Sequence, residues 1–275
     1  RSGGNMYCYF SSYMMEMAMR KLTMENYLRK AIERKEFNLF YQPQLDIDEG
    51  SFNGLEVLLR WDNKELGSIS PAEFIPLAEE TGLIIHIGEW VLRQACSQAY
   101  TWCNQGIHLN RIAVNVSAVQ LLHRGFPALV GTILAETGLD PSLLELELTE
   151  SALINDVDLV IEILEQLKLV GVQLAIDDFG TGYSSLSRLM NFPIDRLKID
   201  QAFVRNLEQN SDNGAIAAAI IAMAGSMNMK VTAEGVETDV QFDFLKNKCC
   251  NEVQGYFLSK PLPVDEVETF LMNKS

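Results

Sequence analysis

The chain has 275 residues, 48% of them hydrophobic, with 37 Asp and Glu against 22 Lys and Arg and a formal net charge of −15. That size suits one α/β barrel or two small domains. The acidic surplus argues against a groove for a nucleic-acid polymer and against contact of this segment with an anionic membrane, since both select for basic residues. The longest uncharged apolar run, residues 215–229, is too short and too alanine-rich to span a bilayer.

In chain order, the opening RSGGNMYCYF has no basic–apolar–small leader pattern and reads as the cut end of a larger protein. Residues 12–36 are predicted to form one amphipathic packing helix, with Met15, Met19, Leu22 and Leu28 among its apolar positions. Strands follow at 37–47 and 52–61 around the turn Asp48-Glu49-Gly50, a hairpin signal that makes the first two strands antiparallel. Pro71 after Ser70, a reasonable N-cap, marks a helix start, with helices over 71–80 and 84–105. Strand and helix then alternate. Strands are predicted at 111–117, 143–149, 172–178, 196–200, 230–234 and 252–257. Helices are predicted at 118–137, 156–169, 184–190, 213–228, 238–247 and near 264–273. Eight strands without a long linker imply an α/β fold, a modified TIM (β/α)8 barrel with an antiparallel first strand. An open doubly wound sheet is the alternative, but the early strands offer no glycine-rich phosphate turn.

These aliphatic strands carry polar residues at or near their carboxyl ends: Glu56, Asn115, Glu147, Asp177 with Asp178, Lys198, Glu234 and Gln254. Buried strands do not bear carboxylates at their tips unless something offsets the charge, and in a barrel those tips share one mouth. Taken singly, most have an ordinary reading. Glu147 and Glu150 could cap a following helix, Asp177-Asp178 before Phe-Gly-Thr-Gly could be a turn, and Asn115 could simply start the next helix. Lys198 is harder to place, because a lone buried ammonium is costly. Jointly, four or five carboxylates at one mouth cannot all stay ionised without cations. Two divalent ions bridged by a shared carboxylate would resolve the repulsion. Five cysteines without a CxxC pair and three histidines in no zinc spacing leave oxygen ligands, which favours Mg2+ or Mn2+. The same cysteines read as reduced thiols of a cytoplasmic protein.

The ordered motifs are Tyr41-Gln42-Pro43, Glu56-Val57-Leu58 with Leu59-Arg60-Trp61, Ser70-Pro71 with Phe74-Ile75-Pro76, and Asn115-Val116-Ser117 with Gln120. Glu147-Leu148-Thr149-Glu150, Asp177 through Leu186, Lys198-Ile199-Asp200, Glu234-Gly235-Val236-Glu237 and Gln254-Gly255-Tyr256 follow. On these, residues 25–275 resemble the EAL domain, a cyclic di-GMP phosphodiesterase. Val57 departs from the alanine of the naming motif, a change of packing that leaves Glu56 in place. The resemblance implies hydrolysis of cyclic di-GMP to linear pGpG by water activated between two Mg2+ or Mn2+ ions. It implies that Glu56, Asn115, Glu147 and Asp177 hold one ion, and that Asp177, Asp178 and, directly or through water, Glu234 hold the other. Lys198 would orient or deprotonate the water, and Glu237 and Gln254 would support that arrangement. Arg60, with Leu59, Asp200 and Gln254, would contact substrate, and Glu150 would pin the loop 179–186. A homodimer is implied as well.

Residues 1–24 resemble the tail of a GGDEF domain and its connecting helix, so a GGDEF-like domain is expected in the same parent chain, with any membrane tether elsewhere in it. Two rival readings remain at this stage: a catalytically silent cyclic di-GMP receptor, and an unrelated two-metal barrel acting on another phosphoester.

Overall fold

The computed structural model describes residues 12–153, 156–180, 189–205, 207 and 211–274. Residues 1–11, in the expected tail of a preceding domain, and most of the expected helix at 184–190 lie outside the described residues. The chain forms two compact units, one of residues up to Asn38 with Arg60–Leu83, the other of Leu39–Leu59 with Ile84 onward.

In the first unit, helix α1 (Ser12–Leu28) ends eight residues before the predicted boundary at residue 36. The chain leaves the helix through hydrogen-bonded turns that close with Lys35 in the left-handed region at φ 56°. These turns bring Glu36 inside, where its Oε2 accepts from Trp61 Nε1 at 3.0 Å and Asn63 Nδ2 at 2.9 Å. Of the apolar positions read on α1, only Leu28 is buried; Met15, Met19 and Leu22 are exposed, and Met24 packs instead. Phe37, Trp61 and Phe74 form an aromatic triangle with centroids 5.5–6.1 Å apart, the core that a unit this small needs. Helix α2 (Pro71–Glu80) starts on Pro71 as expected, but Ser70 makes no side-chain capping bond. Arg20 to Glu73 and Lys21 to Glu80 are exposed ion pairs between α1 and α2, worth little individually. A short strand β3 (Gly67–Ile69), absent from the sequence reading, pairs antiparallel with Trp61–Asn63.

The second unit is the barrel. Its strands are β1 (Phe37–Asp46) from Leu39 on, β2 (Phe52–Asn63) as far as Leu59, β4 (Arg111–Val116), β5 (Leu144–Thr149), β6 (Gln173–Phe179), β7 (Arg196–Ile199), β8 (Lys230–Ala233) and β9 (Glu252–Val253). From β2 through β4 to β9 every neighbouring pair is parallel. β1 pairs antiparallel with β9 and also pairs with β2, which closes the ring. The predicted barrel with a reversed first strand is therefore the fold. The predicted helix at 118–137 is two helices, Ala118–Leu121 and Phe126–Thr137, because Gly125 takes a left-handed φ of 88° and Pro127 opens the second. The last strand stops at Val253, four residues early, where Gln254 and Phe257 turn their backbone groups onto Val236.

Alternation along the strands sorts the side chains by polarity. Ile112, Val114, Val116, Leu144, Leu146, Leu148, Leu174, Ile176, Leu197, Ile199, Val231 and Val253 are all buried, one residue out of step with the polar positions. The polar positions meet across the ring. Near the strand starts, Arg196 Nε lies 2.9 Å from Glu145 Oε2 and its Nη1 lies 3.1 Å from Glu252 Oε2. Arg111 Nε lies 3.1 Å from Glu145 Oε1, and its Nη2 pairs with Glu252. All four side chains are at most 4% exposed. The two guanidiniums match the two carboxylates, so this lower ring is neutral within itself. Burial opposes ionisation of Glu252, but Arg111 and Arg196 outweigh it and hold its carboxyl below the ordinary range.

Removing one member should leave its partners buried and unmatched. Arg196→Met is expected to destabilise the fold by about 3–5 kcal/mol, read as a lower midpoint in urea denaturation. An unchanged midpoint would mean that Arg111 alone neutralises both glutamates.

Candidate active site

Nearer the carboxyl ends of the strands, two residues beyond Glu145 on β5 and Arg196 on β7, lies a second ring with a different balance. Lys198, on β7 and fully buried, places its Nζ 2.6 Å from Glu234, 2.7 Å from Glu147, 3.0 Å from Asp177 and 3.6 Å from Glu56. One ammonium thus faces four carboxylates drawn from β2, β5, β6 and the end of β8. Burial alone would lower its pKa; Asp177, Glu147, Glu234 and Glu56 more than reverse that and hold it well above the ordinary lysine value. The carboxylates stay in surplus. Glu147 is pushed far up by burial, with Lys198 opposing and Glu56 and Asp177 adding to the rise. Glu234 is pushed up to about 8 by burial, against the pull of Lys198.

Asp177 and Asp178 are consecutive, yet both serve this mouth. In an unbroken strand neighbours point to opposite faces. Here the β6–β7 register shifts between Ile176 and Phe179, and Asp178 adopts φ 54°. Such a bulge re-aims a side chain. One carboxylate oxygen each of Asp177, Asp178 and Glu234 consequently fall within 4.8 Å of one another. Asp178 is pushed up to about 6, first by burial, then by Asp177 and by a hydrogen bond with Asp200. Glu234 owes its position to the glycine after it. Gly235 has φ 68°, and a side chain there would come 2.5 Å from Gln201 Cβ.

The remaining predicted residues distribute as follows. Asn115 Nδ2 donates to Glu56 Oε1 at 2.8 Å, which leaves its carbonyl oxygen as the atom it can offer a cation. Gln254 Nε2 donates to Glu56 Oε2 at 2.5 Å. Glu150 is buried, and its Oε2 accepts from the Gly180 N–H at 3.3 Å; residues 181–186 of the loop it was expected to pin lie outside the described residues. Asp200 caps the short helix Gln201–Val204 by accepting from the Ala202 N–H at 2.8 Å. Glu56, Glu234, Glu237 and Gln254 line a cavity of about 260 Å³. Leu58, not Leu59, is its other β2 residue, as alternation from Glu56 requires. Arg60 belongs to the first unit. The sequence reading gave no role to Gln42, Gln201 and Arg205, which also line the cavity; Arg205 Nε lies 3.9 Å from Glu237 Oε1.

The donor set fits divalent cations. Every candidate ligand atom is an oxygen, as Mg2+ and Mn2+ prefer. Glu147 Oε1 is buried without a hydrogen-bond partner among the described residues, an orphan that a cation would satisfy.

The eight-stranded β/α barrel thus carries an acidic, oxygen-only mouth around a buried lysine, at the carboxyl ends of its strands. The chain belongs to the EAL domain family, whose profile matches residues 25–261. It is 46% identical over 265 residues, 96% of its length, to the bifunctional diguanylate cyclase/cyclic di-GMP phosphodiesterase MucR of Pseudomonas aeruginosa, and covers 39% of that protein. It is 42% identical over 269 residues to the cyclic di-GMP phosphodiesterase NbdA of the same organism, covering 98% of this chain and 34% of that one. The chain thus spans between a third and two fifths of these two relatives. The structure of the PaMucR phosphodiesterase in complex with c-di-GMP superposes with a TM-score of 0.86 at 46% identity, over 89% of this chain and 99% of that one. No helix among the described residues is long and apolar enough to cross a membrane.

The raised carboxyls set the pH response of the metal-free protein. Folded values of about 8 for Glu234 and about 6 for Asp178 exceed the ordinary 4.5 and 3.8, so the fold holds more protons than the unfolded chain across that window. Stability in chelator is therefore expected to fall as pH rises from about 4.5 toward 8. Added Mg2+ or Mn2+ should raise the thermal midpoint more at pH 8.5 than at pH 6. Equal metal-induced shifts at both pH values would contradict this.

Proposed function

We propose that the chain is a cyclic di-GMP phosphodiesterase that opens one phosphodiester bond to give linear pGpG. The observation that carries the proposal is the excess of carboxylates over the single ammonium at the mouth, within a family whose named relatives include cyclic di-GMP phosphodiesterases. A receptor without turnover has no need of such a costly surplus.

On this reading Glu56, Asn115, Glu147 and Asp177 hold one divalent cation, and Asp177, Asp178 and Glu234 hold the second. Bound there, Mg2+ or Mn2+ would acidify the attacking water and stabilise charge on a phosphate oxygen during in-line displacement. The protein's own groups do the rest. Lys198, held as an ammonium by its neighbours, donates rather than accepts, and so orients the nucleophile beside the phosphate. Asn115 and Gln254 fix both oxygens of Glu56 from two sides. Arg205, on the cavity wall, offers positive charge to an anionic substrate in a protein that is itself strongly acidic. Glu237 faces it and limits its reach. The proton needed by the departing ribose 3′-oxygen can be drawn from solvent through the open mouth.

Chromatography of cyclic di-GMP incubated with the purified chain and Mg2+ or Mn2+ tests the proposal, and a linear dinucleotide product is expected. Asp177→Asn and Glu56→Gln should each lower turnover by about 10³-fold while leaving circular dichroism unchanged. Tight binding with no product in any metal would establish the receptor reading. Faster cleavage of a generic aryl phosphodiester would point to a different substrate.

A further inference from the structure

The lower ring and the mouth are joined by a chain of side-chain amides whose polarity is set from below. Arg111 has only N–H donors, and its Nη2 donates to Gln44 Oε1. That turns the Gln44 amide so that its Nε2 donates to Gln254 Oε1, at 2.7 Å. Gln254 is then left with its Nε2 toward the mouth, donating to Glu56 Oε2 at 2.5 Å and to Gln42 Oε1 at 2.9 Å. Gln42 in turn donates to the Ser259 carbonyl at 3.1 Å. No amide in the series can flip without opposing two acceptors or two donors.

The series is also built into the backbone. Gln44 is 1% exposed, Arg111 3% and Gln254 4%. A Cβ on Gly54, two residues before Glu56, would lie 2.7 Å from both Arg111 Nη2 and Gln44 Oε1, so the strand leaves room for this pair. Arg111 itself is locked by Glu145 and Glu252.

We infer that Arg111 and Gln44 are positioning residues for the active site: they orient the Gln254 amide, and through it hold the Glu56 carboxylate ready for a cation. The inference rests on the proposed phosphodiesterase reading for the task of Glu56. Neither residue reaches the cavity, and each acts only through Gln254.

Calorimetric titration of the full chain with Mn2+ tests this without reference to turnover. Gln44→Met removes the donor while keeping length, and should weaken Mn2+ binding by about tenfold. Gln44→Glu still accepts from Arg111 but cannot donate to Gln254. It should weaken Mn2+ binding as well, although an added negative charge alone would tighten it. In a Gln254→Met background, Gln44→Met should cause no further loss, since the path is already cut. A merely structural role would lower the thermal midpoint and leave Mn2+ affinity unmoved. Wild-type affinity in both Gln44 variants, or losses that add in the double variant, would overturn the inference. Should one variant fail to fold, the other carries the test. Absence of Mn2+ binding by the wild-type chain would instead sink the metal reading beneath it.

Discussion

The contact of Lys198 with Glu56, Glu147, Asp177 and Glu234 is the constraint around which the barrel is organised. Every strand from β2 to the end of β8 that contributes to it must be in register for the charges to meet. The comparison within the molecule is informative. The lower ring, drawn from β4, β5, β7 and β9, pairs Arg111 and Arg196 with Glu145 and Glu252 and leaves no charge over. The upper ring shares only β5 and β7 with it, sets one ammonium against four carboxylates, and does not balance. A protein able to neutralise one buried ring has left the next one anionic, which is the behaviour of a site that awaits cations rather than of a stabilising network.

The lumen is polar because the strands face apolar helices on their outer side. Leu144, Leu146 and Leu148 turn one way and Glu145 and Glu147 the other, and each set is buried. Cohesion comes from the outer set, where the hydrophobic contribution is non-directional. The inner set is held by directional bonds, and it is there that geometry must be exact for chemistry. Stability and function are thus separated by a single step along each strand.

The ring of strand-end carboxylates was legible because it breaks a rule: acids do not end buried aliphatic runs by chance. The reversed first strand was legible from the Asp48-Glu49-Gly50 turn. What stayed hidden has particular causes. Arg111, Glu145, Arg196 and Glu252 sit at strand beginnings, where a charged residue looks like a boundary; only a spacing of two from Glu147, Lys198 and Gln254, and of four between Arg111 and Asn115, gave a signal. Gln44 looked like an ordinary polar strand residue, since its partners lie 67 and 210 positions away. The early end of α1 was missed because periodicity does not record the inward turn of Glu36. The break near Gly125 was readable in principle, from a glycine and a proline two residues apart.

The β6 bulge makes the cluster sensitive to chain length as well as to residue identity. An extra position is what lets two successive carboxylates serve one mouth. Losing either aspartate with its peptide unit would restore regular pleating, with the rest of the barrel able to close around it. Members of the fold that had shed that one residue would keep their shape and core but lose the means to gather three oxygens at a point. Erosion of such a centre can begin with a deletion that no inspection of packing would flag.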